Sequence, residues 1–363
     1  MSIDCTNIQS PGLLVFPEKV KENIAYVLSL VGGDANRLRP HIKTHKTKEV
    51  NDLLLTAGIT KFKCATIAEA ELLALSHAPS ILLSMQATGP YIYRLVELVK
   101  TYPKSRFACL IDDFHAAEAI SSIFQSHGIN IDVFIDINVG MNRTGIRPAD
   151  AATLIQQIKS LPAINLKGLH AYDGHIRDLN LEDRKLHVQT DFVEFEALVQ
   201  AISSEFPDLE LCVGGTPSFL VHHKNPAYVC SPGTFVFFDA GYAALYPENS
   251  LEPALYIISR IISKPSKTTI CLDLGHKSVA AENTIENRVR FIDRPEFILV
   301  SQSEEHGIVE VPDSDVFEIG QEFYMIPYHV CPTVALHANL QVIENNQLAG
   351  IWEVKARNRK INI

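Results

Sequence analysis

Arg39-Pro40-His41-Ile42-Lys43-Thr44-His45-Lys46 is the stretch on which the reading of this chain turns. It follows a helix-like segment, Glu18 to Val31, and stands where a first β-strand is expected. Read with period two, Leu38, Pro40 and Ile42 point one way, and Arg39, His41 and Lys43 point the other. An apolar back with a basic, imidazole-bearing front suits a wall of an anion-binding pocket. Neighbouring positive charge and partial burial both favour the neutral amine of Lys43, the form that condenses with a carbonyl to give a Schiff base. Without context the same octapeptide reads as an exposed basic loop, because runs of Lys, Arg and His are usually solvated.

The context is a regular alternation. Strands are expected near 37–43, 61–66, 80–85, 106–112, 132–139, 165–172, 210–214 and 228–238. Helical patterns separate them at Ile67–His77, Pro90–Tyr102, His115–His127, Pro148–Ser160 and Leu181–Phe206. Strands alternating with helices of this length mean parallel βαβ units, and eight of them fit an α/β fold of the closed (β/α)8 TIM-barrel type. Past Tyr246 the texture changes to strands without long helices between them, beginning with Leu255-Tyr-Ile-Ile-Ser-Arg-Ile-Ile and ending with Gly350-Ile-Trp-Glu-Val-Lys-Ala. The expected organisation is a barrel over residues 15–245 and an all-β domain over 246–363, with the leader 1–14 pairing into it.

Composition sets the outer limits. At 363 residues the chain exceeds one typical core, and 47% hydrophobic with 20% charged residues describes a soluble globular protein. A net charge of −10 argues against nucleic acid as a partner, and a basic pocket inside an acidic chain points to a small anionic ligand. No apolar run reaches the length of a membrane span, and the first residues lack a signal peptide's basic and apolar regions. The seven cysteines are scattered, odd in number and without a Cys-x-x-Cys pair, which fits reduced thiols in the cytoplasm.

In a barrel, function gathers at the C-terminal ends of the strands. Strand one ends at Lys43. Strand five ends in Asp136-Ile-Asn-Val-Gly-Met-Asn-Arg143-Thr-Gly, and strand six in His170-Ala-Tyr172-Asp-Gly-His175. Strands seven and eight end in Gly214-Gly215-Thr216 and Gly233-Thr234, where backbone N–H groups approach an anion closely and hydroxyls add donors. Phosphate sites in barrels commonly follow strands seven and eight. Each Gly-Gly or Gly-Thr pair alone is an ordinary tight turn. Together with Lys43 they make a pocket for a phosphorylated carbonyl compound, of which pyridoxal 5′-phosphate is the obvious one. In the β domain, His329-Val-Cys331-Pro placed on a strand puts imidazole and thiolate on one side, a pair suited to zinc. A half-buried histidine beside a core cysteine is the plainer reading. His175, His45 and His337 are spare imidazoles.

Taken in order, these motifs resemble those of D-threonine aldolases and eukaryotic-type D-serine dehydratases, pyridoxal phosphate enzymes of fold type III related to alanine racemase. Six stretches across nearly the whole chain carry the likeness: Arg39–Lys46, Gly140-Met-Asn-Arg143-Thr-Gly, Tyr172-Asp-Gly-His175, Gly214-Gly-Thr216-Pro, Pro232-Gly-Thr234 and His329-Val-Cys331-Pro-Thr. The resemblance implies that Lys43 carries the cofactor, that Arg143 contacts its phenolic oxygen and that Tyr172 lies near its ring. It places Gly214, Gly215, Thr216, Gly233 and Thr234 around the phosphate, and a divalent metal, zinc or manganese, at His329 and Cys331. It implies an alanine-racemase-type barrel with a β domain in a homodimer, and the chemistry that follows makes His175 the acceptor of a substrate β-hydroxyl proton, directly or through metal-bound water. The expected substrate is a small D-amino acid bearing a 3-hydroxyl. One constellation supports aldol cleavage of D-threonine to glycine and acetaldehyde, and dehydration of D-serine to pyruvate and ammonia. His-x-Cys resembles the dehydratases' zinc site, whereas the aldolases resemble His-x-Asp there. Asp273-Leu-Gly-His-Lys-Ser-Val-Ala and Val330-Cys-Pro-Thr-Val-Ala-Leu resemble the bacterial aldolase branch, and the reading leans to the aldolase. An amino-acid racemase needs a second acid/base opposite Lys43 and no metal. A non-catalytic pyridoxal phosphate-binding protein is typically a lone barrel, which the β domain argues against.

Overall fold

A computed structural model describes residues 3–363. The chain opens with strand β1 (Gly12–Val15) and helix α1 (Pro17–Leu30), and helix α2 (Lys48–Thr56) comes after the lysine stretch. A run of strand–helix units comes next: β2 (Lys61–Cys64), α3 (Ile67–Leu75), β3 (Ser80–Leu83), α4 (Pro90–Thr101), β4 (Arg106–Ile111), α5 (Phe114–Ser126), β5 (Ile131–Ile137) and α6 (Pro148–Ile158). Strand β6 (Ile164–Ala171), the long α7 (Leu181–Ile202), β7 (Glu210–Val213), the single turn α8 (Phe219–His222) and β8 (Tyr228–Cys230) complete it. The helices start where their capping chemistry says they should. Thr66 and Asp113 accept from the Glu69 and Ala116 backbone amides, and Pro90 and Pro148 occupy first turns, where a missing N–H costs nothing.

One compact unit comprises Val27–Lys43, Asn51–Gly233 and Asn358–Ile363. Its seven strands β2 to β8 are parallel and succeed one another in sequence order across the sheet. Leu82, Ala108, Leu110, Phe134 and Cys212 form a buried cluster from four of those strands. The expected first strand at 37–43 is corrected. Residues 35–37 and 42–44 are 3-10 turns, and between them only isolated bridges form, Leu38 with Cys230 and His41 with Lys63. Those bridges join this segment to β8 on one side and β2 on the other, through Arg39 N–H to Cys230 O (2.8 Å) and Lys63 N–H to Pro40 O (2.9 Å). The eighth stave is present, but Pro40 supplies no N–H for a regular ladder. Arg39 does not face an anion pocket. Its Nε donates to Glu210 Oε1 at 2.7 Å and its guanidinium lies 5.5 Å from the Phe134 ring centroid.

The second unit comprises the described residues up to Tyr26, Thr44–Val50 and Thr234–Arg357. Besides β1 it holds α9 (Ala240–Leu245), β9 (Leu255–Ser266), β10 (Thr269–Leu272), β11 (Val289–Phe291), β12 (Ile298–Gln302), β13 (Gly307–Glu310), β14 (Glu322–Pro327), α10 (Val330–Leu336), β15 (Asn339–Glu344) and β16 (Gln347–Glu353). The sheet runs β12-β13-β10-β9-β1-β15-β16, with β14 pairing β9 and β11 pairing β14. Strand β1 pairs here, antiparallel to β9 and parallel to β15. Strands β11 and β13 are additions to the expected set. Phe297 meets Phe291, Phe317 and Phe323 edge-on at 5.3 to 5.5 Å, a satellite core of aromatic rings. Among the described residues no helix is long and apolar enough to cross a membrane.

Candidate active site

Lys43 lies in the 3-10 turn Ile42–Thr44, with its backbone N–H donating to His41 Nδ1 at 3.2 Å. It lines a cavity of about 370 Å³ together with His41, Ser84, Asp136 and Arg143. The centre of the site is the Tyr172 ring, just past the end of β6. Lys43 Nζ lies 5.8 Å from its centroid, Lys63 Nζ 5.6 Å and Arg143 Cζ 4.9 Å. Two glycines let the backbone pass close to this ring. A Cβ at Gly174 would meet Tyr172 Cε1 and Oη at 2.5 Å, and one at Gly215 would meet Cε2 at 2.9 Å. Three cations around one aromatic ring, at the ends of separate staves, form an anion-seeking pocket with an apolar platform.

Beneath it runs a buried polar chain. Lys63 Nζ is 3.2 Å from His170 Nε2, and His170 Nδ1 is 2.7 Å from Asp136 Oδ1. Burial pulls the Lys63 ammonium down to about 8. Burial also lowers His170, helped by the Lys63 charge, so its ring is neutral near pH 7. Burial alone would push Asp136 up, but His170, Thr144 and Lys63 together outweigh it and hold the carboxyl below its usual range. A neutral His170 therefore donates from Nδ1 to Asp136 and accepts from Lys63 at Nε2.

The loops after β7 and β8 form the second half of the pocket. Gly214 adopts φ +68°, and a Cβ there would meet His222 Cδ2 at 2.6 Å. A Cβ at Gly233 would meet the His41 carbonyl oxygen at 2.7 Å. Thr216 Oγ1 accepts from the Gly233 N–H at 3.1 Å and ties the two loops together. Asp173 braces the first loop from below, accepting from Ser218 Oγ and His222 Nε2, both at 2.7 Å. Glycines that admit no side chain bring bare backbone around the buried Thr216 hydroxyl, a cradle that a Cβ would fill. This cradle, with Lys43 and the Tyr172 platform, fits pyridoxal phosphate.

Thr234 opens the next 3-10 turn, in the other unit, with its Oγ1 3.7 Å from Cys331 Sγ. Thr44 Oγ1 lies 3.2 Å from the same sulfur. The strand expected at His329-Val-Cys331 is corrected. His329 is the extended N-cap of α10, and Cys331 sits in its first turn. Pro332 is tolerated there because first-turn amides have no partner within the helix. His329 and Cys331 still come together. Partial burial works against the imidazolium, but the Cys331 thiol and the Glu282 carboxylate outweigh it and raise His329 to about 9. Glu282 Oε1 is 2.5 Å from His329 Nδ1, a carboxylate contact that orients the imidazole. Asp239 secures the turn by accepting from the Val330 and Tyr242 amides at 3.0 and 2.9 Å. Imidazole, thiol and outer carboxylate fit a divalent ion of the zinc type.

His175 stands on the loop after β6, with Nε2 2.7 Å from Asp191 Oδ2 and its buried Nδ1 without a hydrogen-bond partner. His45 is wholly buried, and burial takes it down to about 3; His337 bonds the Ser278 carbonyl at 2.8 Å. Neither joins the pocket. Sequence reasoning alone assigns no role to Lys63, Asp173, His222 or Asp191. Lys63 does carry a signal, a charge in the middle of the short buried strand Lys61-Phe-Lys-Cys.

Residues 16–241 match the family described as alanine racemase, N-terminal domain, and residues 254–343 match a serine dehydratase domain. The D-threonine aldolase of Arthrobacter sp. is 26% identical over 96% of this chain and 93% of that protein. The D-threo-3-hydroxyaspartate dehydratase of Delftia sp. is 22% identical over 95% of this chain and 97% of that protein. A crystal structure of D-threonine aldolase from Filomicrobium marinum superposes with a TM-score of 0.88 at 25% identity, covering 96% of this chain and 95% of that one.

Proposed function

The chain belongs to the family with an alanine racemase N-terminal domain, and from that premise we propose that it is a pyridoxal phosphate- and divalent-metal-dependent lyase of D-3-hydroxy amino acids, of the D-threonine aldolase type. The observation that carries this is the convergence of Lys43, Arg143 and Tyr172 beside the glycine cup of Gly214, Gly215, Thr216 and Gly233, with Thr234 next in the chain. Lys43 is the residue assigned to carry the cofactor, Arg143 its phenolic oxygen and the cup its phosphate. When bound, that group supplies an electron sink for a carbanion at the substrate's Cα. His329 and Cys331 are assigned to a divalent ion, zinc or manganese, whose chemistry there is to acidify a hydroxyl.

The hydrogen bonds support His175 as the proton acceptor. Asp191 Oδ2 stands 2.7 Å from His175 Nε2, and Nδ1 is the ring nitrogen without a hydrogen-bond partner, which makes it the atom we assign to accept. A proton taken there from the substrate's β-hydroxyl goes with breaking Cα–Cβ and release of glycine and an aldehyde. The alternative assigns the Cα proton to the Lys43 amine and makes the hydroxyl the leaving group, as in dehydration of D-serine to pyruvate and ammonia. The dehydratase-type domain and the Delftia relative support that second reading, while the higher identity to an aldolase favours the first. The reading includes a homodimer and a cytoplasmic location, the latter supported by seven cysteines none of which forms a disulfide.

The test is a product assay on purified protein with pyridoxal phosphate and zinc or manganese, offering D-threonine and D-serine separately. Glycine and acetaldehyde from D-threonine are expected. Pyruvate and ammonia from D-serine, with no glycine from D-threonine, would replace the aldolase with the dehydratase.

A further inference from the structure

The geometry points to a second divalent-cation site, separate from His329 and Cys331 and formed by His175, His187 and Asp191. His187 and Asp191 are four residues apart on α7, so they share one face of the helix, and the loop after β6 brings His175 to them. His175 Nε2 is 2.7 Å and His187 Nε2 3.5 Å from the same atom, Asp191 Oδ2, and the three ligand atoms all lie within 4.8 Å of one another. An ion bound at roughly 2.0–2.1 Å in a tetrahedral set holds its ligands about 3.4 Å apart, so a shift of under about 1 Å accommodates one. The two imidazole planes meet at 83°, so the rings approach a common point from different directions instead of stacking.

Two further observations support a ligand site. His187 Nδ1 is 2.8 Å from Asp178 Oδ2, the outer carboxylate contact that fixes the tautomer and turns the Nε2 lone pair toward the cluster. Gly140 closes one side. A Cβ there would lie 2.9 Å from both Asp191 Oδ2 and His175 Nε2, so only bare backbone passes. Two imidazoles and one carboxylate select a transition-type cation such as zinc, cobalt or manganese over magnesium or calcium, which prefer all-oxygen sets.

The consequence for chemistry rests on the lyase reading. An ion on His175 Nε2 displaces the proton now shared with Asp191, and the neutral ring then carries it on Nδ1. That nitrogen can no longer accept a proton from substrate. Filling this site therefore inhibits, whereas filling the His329–Cys331 site activates.

The binding itself is tested without turnover. Metal-stripped protein is titrated with cobalt(II), counting bound ions by equilibrium dialysis and reading the visible spectrum. Two ions per chain are expected in the wild type. C331A should lose one ion and the thiolate-to-cobalt charge-transfer band, and H187Q should lose the other ion while keeping that band. His187 is 39% exposed, so the glutamine variant threatens folding little, and D191N provides an independent second variant. Two ions bound in both H187Q and D191N, or a single wild-type ion that C331A abolishes, overturns the inference. A single ion lost in H187Q and kept in C331A upholds this site and removes the His329–Cys331 assignment instead. In turnover, inhibition by excess zinc should disappear in H187Q; if it persists there while cobalt counting supports the site, the assignment of His175 as proton acceptor fails.

Discussion

The barrel pocket and the His329–Cys331 turn are built on opposite plans. The pocket draws Lys43, Lys63, Arg143, Tyr172, Gly215 and Gly233 from separate staves and fixes them with buried hydrogen bonds, His170 to Asp136 and Asp173 to Ser218 and His222. Nearly every contact there is long in sequence. The metal-type pair is local, two residues across a helix start, with side chains of His329 and Glu282 48% and 45% exposed. A large, rigid group needs a preformed seat, while an ion brings its own organising energy.

That contrast predicts separable losses. The largest effect belongs to Lys43→Ala, which should abolish the cofactor's lysine-linked absorbance and reduce turnover by about 10³-fold or more, by comparison with removal of a single proton-transfer group. Its metal content should be unchanged; loss of both groups would mean that the two sites are not independent. The converse variant, Cys331→Ala, should lose the ion and most activity while the cofactor spectrum stays. Unchanged metal content, measured by elemental analysis, would remove the metal assignment.

A smaller effect is expected from Gly233→Ala, because its Cβ would collide with the His41 backbone 2.7 Å away and push the cup apart. Overpacking of this kind costs about 1–3 kcal/mol, read as roughly 5- to 150-fold weaker cofactor binding in a titration. Wild-type affinity in this variant would mean that the phosphate sits elsewhere. The smallest effect concerns Lys63. Its ordinary value is 10.5 and the folded value about 8, so between those pH values the unfolded chain holds more protons and stability rises with pH. Lys63→Met in cofactor-free protein should lose that rise in its urea midpoint. A slope identical to the wild type would show that the buried amine is not the group responsible.

Much of the molecule is legible in the sequence because helix caps, Gly turns and period-two strands are local signals. The strand ends carrying Arg143, Tyr172 and the two glycine loops stand where the alternation puts them. The stave before Lys43 reads as a regular strand because period two is equally satisfied by an extended segment that bridges without a ladder, and Pro40 is the warning. His329-Val-Cys331 reads as a strand because apolar residues surround it. An N-cap is itself extended, however, and the helix declares itself only over Pro332 to Leu336. The networks under the pocket are not legible. Asp173 meets His222 across 49 residues, and Lys63 meets His170 across 107, distances that only the folded barrel brings to contact.

The central claim is that Lys43, and not its buried neighbour, carries the cofactor. The most direct measurement is borohydride reduction of the pyridoxal phosphate-loaded protein, then digestion and mass spectrometry of the peptides. The account predicts one reduced pyridoxyl tag on the peptide containing Lys43. A tag on Lys63, whose amine burial already inclines toward the neutral form, would contradict it.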